Sequence, residues 1–405
     1  MGGKLTSNDD RRYGCFSSLQ SRRNRSIVTH RTRRSVARGM SCSWNHIMNQ
    51  TRSPSASLGS FVSIVLAAGH GKRMRTSLPK VMHPVAGHPM ICYPVKASLD
   101  AGALAAVVVV GHGREVVIPY LSRTFGSKVH FAIQHEQKGT AHAVLQAIEQ
   151  MPLDVDFALI LCGDTPLIES PTLVNLTGAL TRARTHQPAS DLALLTCEIP
   201  DPTGYGRIIR DHVGRVVQIR EQRDLVDDAQ RRIREINPGV YLTSMAFLRS
   251  SLGAIGNTNT QGEFYLTDMV AMAARSGSVV DVAADWQTMV GVNDLVQLSS
   301  VQAIMQQRLR NRLRLRGAMI ADDVHVDDGV VVQPDARVER GATLRGHTVI
   351  EAGAVVDVGC VVEDSLVKQR AVLAPYCVVR NATVEAGSCV SPFTHVGSKF
   401  EPPRL

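Results

Sequence analysis

The chain has no uncharged apolar run of the ~18 residues that a membrane-spanning helix needs. The longest, Ala101 to Gly111, has eleven, so no membrane insertion is expected. Aromatic residues make up only 4% of the sequence, too few for the stacking platforms that hold single-stranded nucleic acid. The eight cysteines (Cys15, Cys42, Cys92, Cys162, Cys197, Cys360, Cys377 and Cys389) include no C-x-x-C pair and share no spacing with histidine. A zinc framework therefore has no support. Several lie inside apolar runs, as Cys162 does in Phe157–Cys162, and read as free thiols acting as small hydrophobes in a reducing compartment.

The net charge of +9 suggests nucleic-acid binding until the charge is located. Residues 1–57 carry eleven basic side chains against Asp9 and Asp10, while residues 58–405 hold 34 basic and 34 acidic ones. The basic character belongs to the extension, and no nucleic-acid partner is expected. Rich in Arg and Ser and without hydrophobic periodicity, residues 1–57 read as a disordered extension. A transit peptide and an upstream mis-assigned start remain alternatives.

From residue 58 to 293 the texture changes. Near-continuous apolar runs at Phe61–Ala67, Leu104–Gly111, Val129–Gln134 and Phe157–Cys162 alternate with helical stretches at Met90–Ala101, Glu115–Arg123 and Thr140–Gln150. Such a pattern predicts an α/β domain with a parallel sheet covered on both faces. Residues 294–316 read as one linking helix, because Leu295, Leu298, Val301, Met305, Leu309 and Leu313 fall three or four apart. Gly317 is its candidate C-cap. From 317 to 405 apolar residues recur every sixth position from Ile320 through Val362. After a one-residue slip come Val367, Leu373 and Val379, and after a second Val384, Val390 and Val396. A six-residue period is neither helix nor hairpin and indicates a parallel β-helix of hexapeptide repeats, about four to five coils tall.

Two local signals carry chemistry. The first strand runs into Leu66-Ala-Ala-Gly-His-Gly-Lys-Arg-Met74, followed by Leu78-Pro-Lys80. Glycines after a strand let backbone N–H groups approach phosphate oxygens. The run is not a Walker A loop, since Leu66 occupies its first glycine position. Nor is it the dinucleotide fingerprint, since Met74 stands at the third. What remains is a Gly-rich loop with Arg73 and Lys80 at its mouth, the alternative being a tight turn with surface cations. The second signal is Gly163-Asp164, where a carboxylate sits at a strand's carboxyl edge, the ligand side of open α/β sheets. Beside a triphosphate Asp164 would hold Mg²⁺; as a plain turn former it would hold nothing.

These residues resemble the bifunctional bacterial N-acetylglucosamine-1-phosphate uridylyltransferase/glucosamine-1-phosphate acetyltransferase family. The likeness rests on the 66–80 segment, Gln134-His-Glu-Gln-Lys-Gly-Thr-Ala-His142, Gly163-Asp164 and Asp201-Pro-Thr-Gly-Tyr-Gly-Arg-Ile208. It continues through Glu235-Ile-Asn-Pro-Gly239, Gly262-Glu-Phe-Tyr-Leu-Thr-Asp268 and Gly291-Val-Asn293, in the family's order. It implies a Rossmann-like nucleotidyltransferase domain followed by a left-handed β-helix. The implied reaction is uridylyl transfer from UTP to N-acetylglucosamine 1-phosphate, in the cytoplasm, feeding cell-envelope synthesis. Arg73 and Lys80 would be the catalytic cations, and Leu66, Ala68, Gly69 and Gly71 would lie along the UTP phosphates. Gln134, Gly139 and Thr140 would read uracil. Gly206, Glu221, Asn237 and Tyr265 would line the sugar-phosphate pocket, and Asp164 with Asn293 would hold Mg²⁺. A homotrimer through the β-helix is also implied, a monomer or weak trimer being the alternative for so short a helix.

The sequence departs from the family at Lys72 (often Thr), at Cys162 (usually Tyr) and in Asn237-Pro238-Gly239, where Pro238 removes an N–H. In the family the β-helix continues for several more coils that carry the acetyl-transfer site. Here the hexads stop at Ser391–Gly397, so acetyltransferase activity is expected to be absent. Rival readings are a nucleotidyltransferase for another sugar 1-phosphate and a catalytically silent nucleotide-sugar-binding subunit. Loss of Arg73, Lys80 or Asp164 would have favoured the silent subunit, and all three are present.

Overall fold

A computed structural model describes residues 59–151, 154–277 and 279–398; the extension read over 1–57 lies outside them. Strand β1 (Phe61–Ala67) is followed by a small hairpin, β2 (Pro84–Val85) and β3 (His88–Pro89), and by helix α1 (Cys92–Asp100). Strands and helices then alternate through β4 (Ala106–Val110), α2 (Arg114–Phe125), β5 (Val129–Ile133), α3 (Thr140–Glu149), β6 (Phe157–Cys162) and α4 (Ser170–His186). Next come β7 (Leu192–Glu198), β8 (Gly206–Arg210), β9 (Val216–Arg220), α5 (Asp228–Arg232), β10 (Glu235–Asn237) and β11 (Tyr241–Ser244). Helices α6 (Met245–Ala254) and α7 (Asp268–Arg275), strand β12 (Val279–Ala283) and the long helix α8 (Leu295–Leu315) complete this part.

The ten large strands form one sheet in the order β5-β4-β1-β6-β11-β7-β10-β8-β9, with β12 beside β7. The sheet is mixed, which corrects the expectation of a parallel one. β5, β4, β1 and β6 are parallel, but β11 enters antiparallel between β6 and β7. β10, β8 and β9 extend the far side in antiparallel pairs. A buried strand reads as an apolar run in either direction, so strand direction was not available from the pattern. β10 and β11 follow one line along β7, interrupted by Pro238 and by Gly239 at φ 79°.

Alternate residues of each strand feed two apolar layers. Val62, Ile64, Val107, Val109 and Ile160 pack with α3, α6 and α7 through Val144, Leu248, Met269 and Val270. Val65, Val108, Leu159 and Leu161 pack with α1, α2 and α4 through Val95, Leu121, Leu173 and Leu176. Covering both faces leaves the carboxyl edge of the strands as the place where loops meet solvent.

Asp294 caps α8, its Oδ1 accepting from the Gln297 N–H at 2.8 Å. Val301, Met305, Leu309 and Leu313 are buried. Leu295, counted in the apolar stripe, is instead 48% exposed, because the first turn projects beyond the packed layer. Gly317 follows the helix at φ 92°, a conformation that terminates helices. No helix among the described residues is long and apolar enough to cross a membrane.

Fourteen short strands from Met319–Ile320 to His395–Gly397 stack into three parallel sheets of five, five and four strands, the wall of a left-handed β-helix. The inward residues Val326, Leu344, Val362 and Val379 are fully or almost fully buried. Upper coils repeat every 18 residues, Met319 lying beside Arg337 and Arg337 beside Val355. Lower coils repeat every 17, Val355 lying beside Val372 and Val372 beside Cys389. Both sequence slips fall at one corner, turned by Asp364 and then by Asn381, each at φ 46°.

Candidate active site

The carboxyl ends of β1 and β6 and the segment after β12 converge on one cluster. β1 delivers Leu66 and the buried Ala68 to the exposed Gly69. A methyl group added at Gly69 would meet nothing within 4 Å, so the space beside it is open to a ligand. Gly71 is different. It turns at φ 59°, and its missing Cβ would lie 2.6 Å from the Lys80 Cβ. This glycine makes room for the Lys80 stem, a role the expected phosphate contact did not include. Arg73 rides a short turn, Lys72–Met74, anchored by Met74, and Lys80 opens the turn Lys80–Met82, whose Val81 and Met82 are buried.

The Lys80 ammonium pairs with Asp164 Oδ2 at 2.5 Å and donates to Asn293 Oδ1 at 2.9 Å. Arg73 Nη2 donates to the same Asn293 oxygen at 3.0 Å. The Gly163 N–H bonds the Leu66 carbonyl at 2.9 Å, tying the turn after β6 to β1. The Asp164 carbonyl accepts from the Val292 N–H at 2.9 Å, which brings Asn293 alongside. Four residues from three separate segments thus meet through side-chain bonds.

No group of three or more His, Cys, Asp or Glu side chains able to hold a metal occurs among the described residues. A metal at this cluster would rest on two hard oxygens, from Asp164 and Asn293. That suits a cation that keeps most of its waters and takes substrate phosphates as further ligands. Both oxygens already converge on one cation, the Lys80 ammonium, so the donor set fits.

Gln134 is buried beyond β5. Its Nε2 donates to the Gly139 carbonyl at 3.2 Å and to His142 Nδ1 at 3.0 Å, which leaves Oε1 as its acceptor. Gly139, at φ 113°, lies so close to Phe264 that a Cβ would sit 2.5 Å from its carbonyl oxygen. The Thr140 hydroxyl accepts from the Leu266 N–H at 3.0 Å. The segment 138–141 is therefore stitched to 264–266.

On the other side Gly206 pairs with Asn237 across β8 and β10. A Cβ at Gly206 would stand 3.5 Å from the Glu221 carboxylate and 2.8 Å from Ile219. Burial pushes the Glu221 carboxyl above its ordinary range, and nearby Asp224, Asp268 and Glu263 add to this. The Thr267 hydroxyl, bonding Glu221 Oε1 at 3.2 Å, acts in the opposite direction. Asn237 is largely occupied locally: Oδ1 accepts from Gly239 N–H at 3.0 Å and Nδ2 donates to the Tyr241 hydroxyl at 2.6 Å. Tyr265 accepts from Gln261 Nε2 at 2.7 Å. It shares a cavity of about 260 Å³ with Arg220, Glu221, Asp224, Asn259 and Asp268. Beneath the turn, burial and the neighbouring Asp164 carboxylate push the Cys162 thiol up to about 12, so it is a packing group and no nucleophile.

A nucleotidyl transferase family model matches residues 62–290. Bifunctional protein GlmU of Sorangium cellulosum is 45% identical over 338 residues, 82% of this chain and 70% of that protein. Bifunctional protein GlmU of Aromatoleum aromaticum is 40% identical over 337 residues, 82% of this chain and 68% of that one. The chain belongs to the GlmU family of nucleotidyl transferases. A solved structure, a putative glucose-1-phosphate thymidylyltransferase from Bacillus anthracis in complex with a sucrose, aligns at TM-score 0.46 and 17% identity. It covers 61% of this chain and 95% of that one. The GlmU relatives are bifunctional by name, so the expected absence of acetyl transfer finds no support in them.

In this nucleotidyl transferase the sequence reading passed over several residues that hold the site together. Gln137 bridges the Gly-rich loop to the Gln134 segment, its Oε1 accepting from His70 Nε2–H at 3.0 Å and its Nε2 donating to the Ala68 carbonyl at 3.4 Å. Arg207, 2% exposed, bonds the Tyr205 carbonyl and Gln222 Oε1. The Tyr205 hydroxyl accepts from the Gly291 N–H at 3.4 Å. Each of Gln137, Tyr205, Arg207 and Thr267 stands inside a motif quoted above. The signal was there, but nothing in the sequence assigned these positions a task.

Proposed function

We propose that this chain transfers a uridylyl group from UTP to N-acetylglucosamine 1-phosphate, releasing pyrophosphate and forming UDP-N-acetylglucosamine. The observation that carries the reading is the convergence of Lys80, Arg73, Asp164 and Asn293 between an open Gly-rich loop and the pocket around Gly206 and Glu221. An ionised oxygen of the sugar phosphate attacks the α-phosphorus of UTP in line. The bond to the β-phosphate oxygen breaks, and pyrophosphate carries away that electron pair. The attacking oxygen is already charged at neutral pH, so no general base is required, and positioning with charge neutralisation suffices.

Arg73 and Lys80 supply fixed positive charge at the loop mouth, and Gly69 leaves room for phosphate. Gln134 Oε1, its amide protons spent on Gly139 and His142, accepts from the ring N–H of uracil. Glu221 accepts from a sugar hydroxyl or the acetamido N–H. Asp164 and Asn293 hold Mg²⁺, which when bound neutralises phosphate charge as a Lewis acid. The reaction draws on UTP, which the cytoplasm supplies.

The test is pyrophosphate release from UTP and Mg²⁺ with either N-acetylglucosamine 1-phosphate or glucosamine 1-phosphate. Release with the acetylated sugar, abolished by Asp164→Ala, is the expected result. Release only with another sugar 1-phosphate, or none from a chain that binds UTP, would overturn it.

A further inference from the structure

The two oxygens assigned to the metal come from segments about 130 residues apart in sequence, and both segments are fastened to α8. Asn293 lies one residue before the helix cap, and its N–H donates to Gln297 Oε1 at 2.7 Å. Asp164 is reached from farther along the same helix. Arg308 Nη1 donates to the Leu167 carbonyl at 2.8 Å and lies 3.5 Å from Glu169 Oε1. The residues between are short of freedom: the Thr165 hydroxyl bonds the Cys162 carbonyl at 2.8 Å, and Leu167 and Ile168 are buried. Pinning Leu167 therefore restricts Asp164, three residues upstream.

The segment beyond Lys80 ends on the helix too. The Ala86 N–H donates to Gln302 Oε1 at 3.1 Å, and the Ala86 carbonyl accepts from Asp328 N–H at 3.0 Å in the first β-helix coil. The helix is seated on that coil through Gln306, whose buried amide exchanges two 2.8 Å hydrogen bonds with the Val326 backbone.

We infer that Arg308 is a positioning residue: it clamps the segment bearing Asp164 to the helix that also fixes Asn293, and so sets how the two metal-holding oxygens face each other. The inference rests on the proposed assignment of Asp164 and Asn293 to the metal. Arg308 touches no substrate and acts only through Leu167 and Glu169. Its guanidinium opens onto a groove of about 610 Å³ lined by Pro166, Leu167, Met305 and Arg312. Water entering that groove can satisfy the Leu167 carbonyl when the clamp is removed, so its loss loosens the segment without leaving a buried acceptor unpaired.

The test uses the full chain with Arg308→Met, which keeps the aliphatic stem, and Arg308→Lys, which restores a donor. Two quantities are read: Mn²⁺ binding in the presence of UTP, by electron paramagnetic resonance, and amide exchange of residues 165–169. The expected result for Arg308→Met is a metal dissociation constant raised about tenfold, the range for losing a partner behind a metal ligand. Exchange of 165–169 should quicken by about tenfold while 134–141 stay protected, and Arg308→Lys should recover most of both effects. Unchanged metal binding and exchange in Arg308→Met would overturn the proposal, as would equal loosening of 134–141. Asp164→Asn in the same titration separates the two levels. If it leaves Mn²⁺ bound, the metal assignment itself fails; if it releases Mn²⁺ while Arg308→Met does not, only the clamp fails.

Discussion

The carboxyl edge of the mixed sheet and the wall of the β-helix both turn the chain through left-handed backbone, with different residues. At the sheet edge Arg75 takes such a conformation (φ 54°) with its side chain attached, but at Gly71 and Gly139 something stands where a side chain would go: the Lys80 stem at Gly71, the Phe264 carbonyl at Gly139. Along the wall Asp335, Asp364, Arg370, Tyr376, Asn381 and Phe393 take φ between 46° and 64° with side chains attached. These corners point outward, so the cost is backbone strain alone, about 1–2 kcal/mol each. The wall also has glycine corners, and one crowded corner fits the same rule. Gly346 lies over Asp364, whose Oδ1 would be 2.1 Å from an added Cβ. A left-handed turn demands glycine where another group crowds it, and merely favours glycine where nothing does.

Single residues at the edge should govern turnover, and single residues in the wall should govern stability. The largest expected effect is from Lys80→Ala, which should lower kcat by about 10²–10³ with little change in unfolding midpoint; pyrophosphate release and a thermal melt check the pair. Next is Leu344→Ala, which empties a fully buried position between Val326 and Val362. It should cost about 3 kcal/mol in urea unfolding while kcat stays as it was. A large loss of kcat there would show that the wall governs turnover as well.

Gly139→Ala tests the edge directly. Both the φ of 113° and the Phe264 carbonyl oppose a side chain, and we expect KM for UTP to rise by about tenfold, the equivalent of about 1.4 kcal/mol. Glu221→Gln tests whether the edge trades stability for function. The wild-type carboxyl is raised above its ordinary 4.5, so the folded state binds its proton more tightly than the unfolded state does. Stability then falls as pH rises through that window. The Gln variant should be the more stable protein at neutral pH, with the difference vanishing below pH 4.5, and it should show a higher KM for the sugar phosphate. Denaturant titrations at three pH values measure this. The smallest effect is from Arg370→Gly at an exposed corner. Relief of its strain, partly offset by a more flexible unfolded chain, should stabilise by about 0.5 kcal/mol.

Legibility in the sequence followed periodicity. β1 and β6 were bounded from apolar runs alone, and the hexads located the wall and both of its slips. Strand direction was not legible, because β7, β10 and β11 look alike whichever way they run. In the site, motif residues marked where chemistry gathers but not how the residues meet. Lys80 was read as a catalytic cation and Asp164 as a metal ligand, and their ion pair at 2.5 Å was in neither reading. Gly71 carried a backbone reason that only the path of the Lys80 stem reveals. Such pairings depend on which loops lie side by side, and no local pattern encodes that.

The recurrent shortening of the β-helix coils bears on how such a chain tolerates changes in length. Each lost residue falls between a strand ending at Glu363 or Arg380 and the next strand, starting at Leu366 or Thr383. The strands on either side keep their vertical neighbours. An insertion or deletion confined to that corner is absorbed before the next inward residue. The same change inside a strand would turn its inward set outward. One edge of the prism thus takes up changes in length, while the other two edges keep the six-residue spacing of the core.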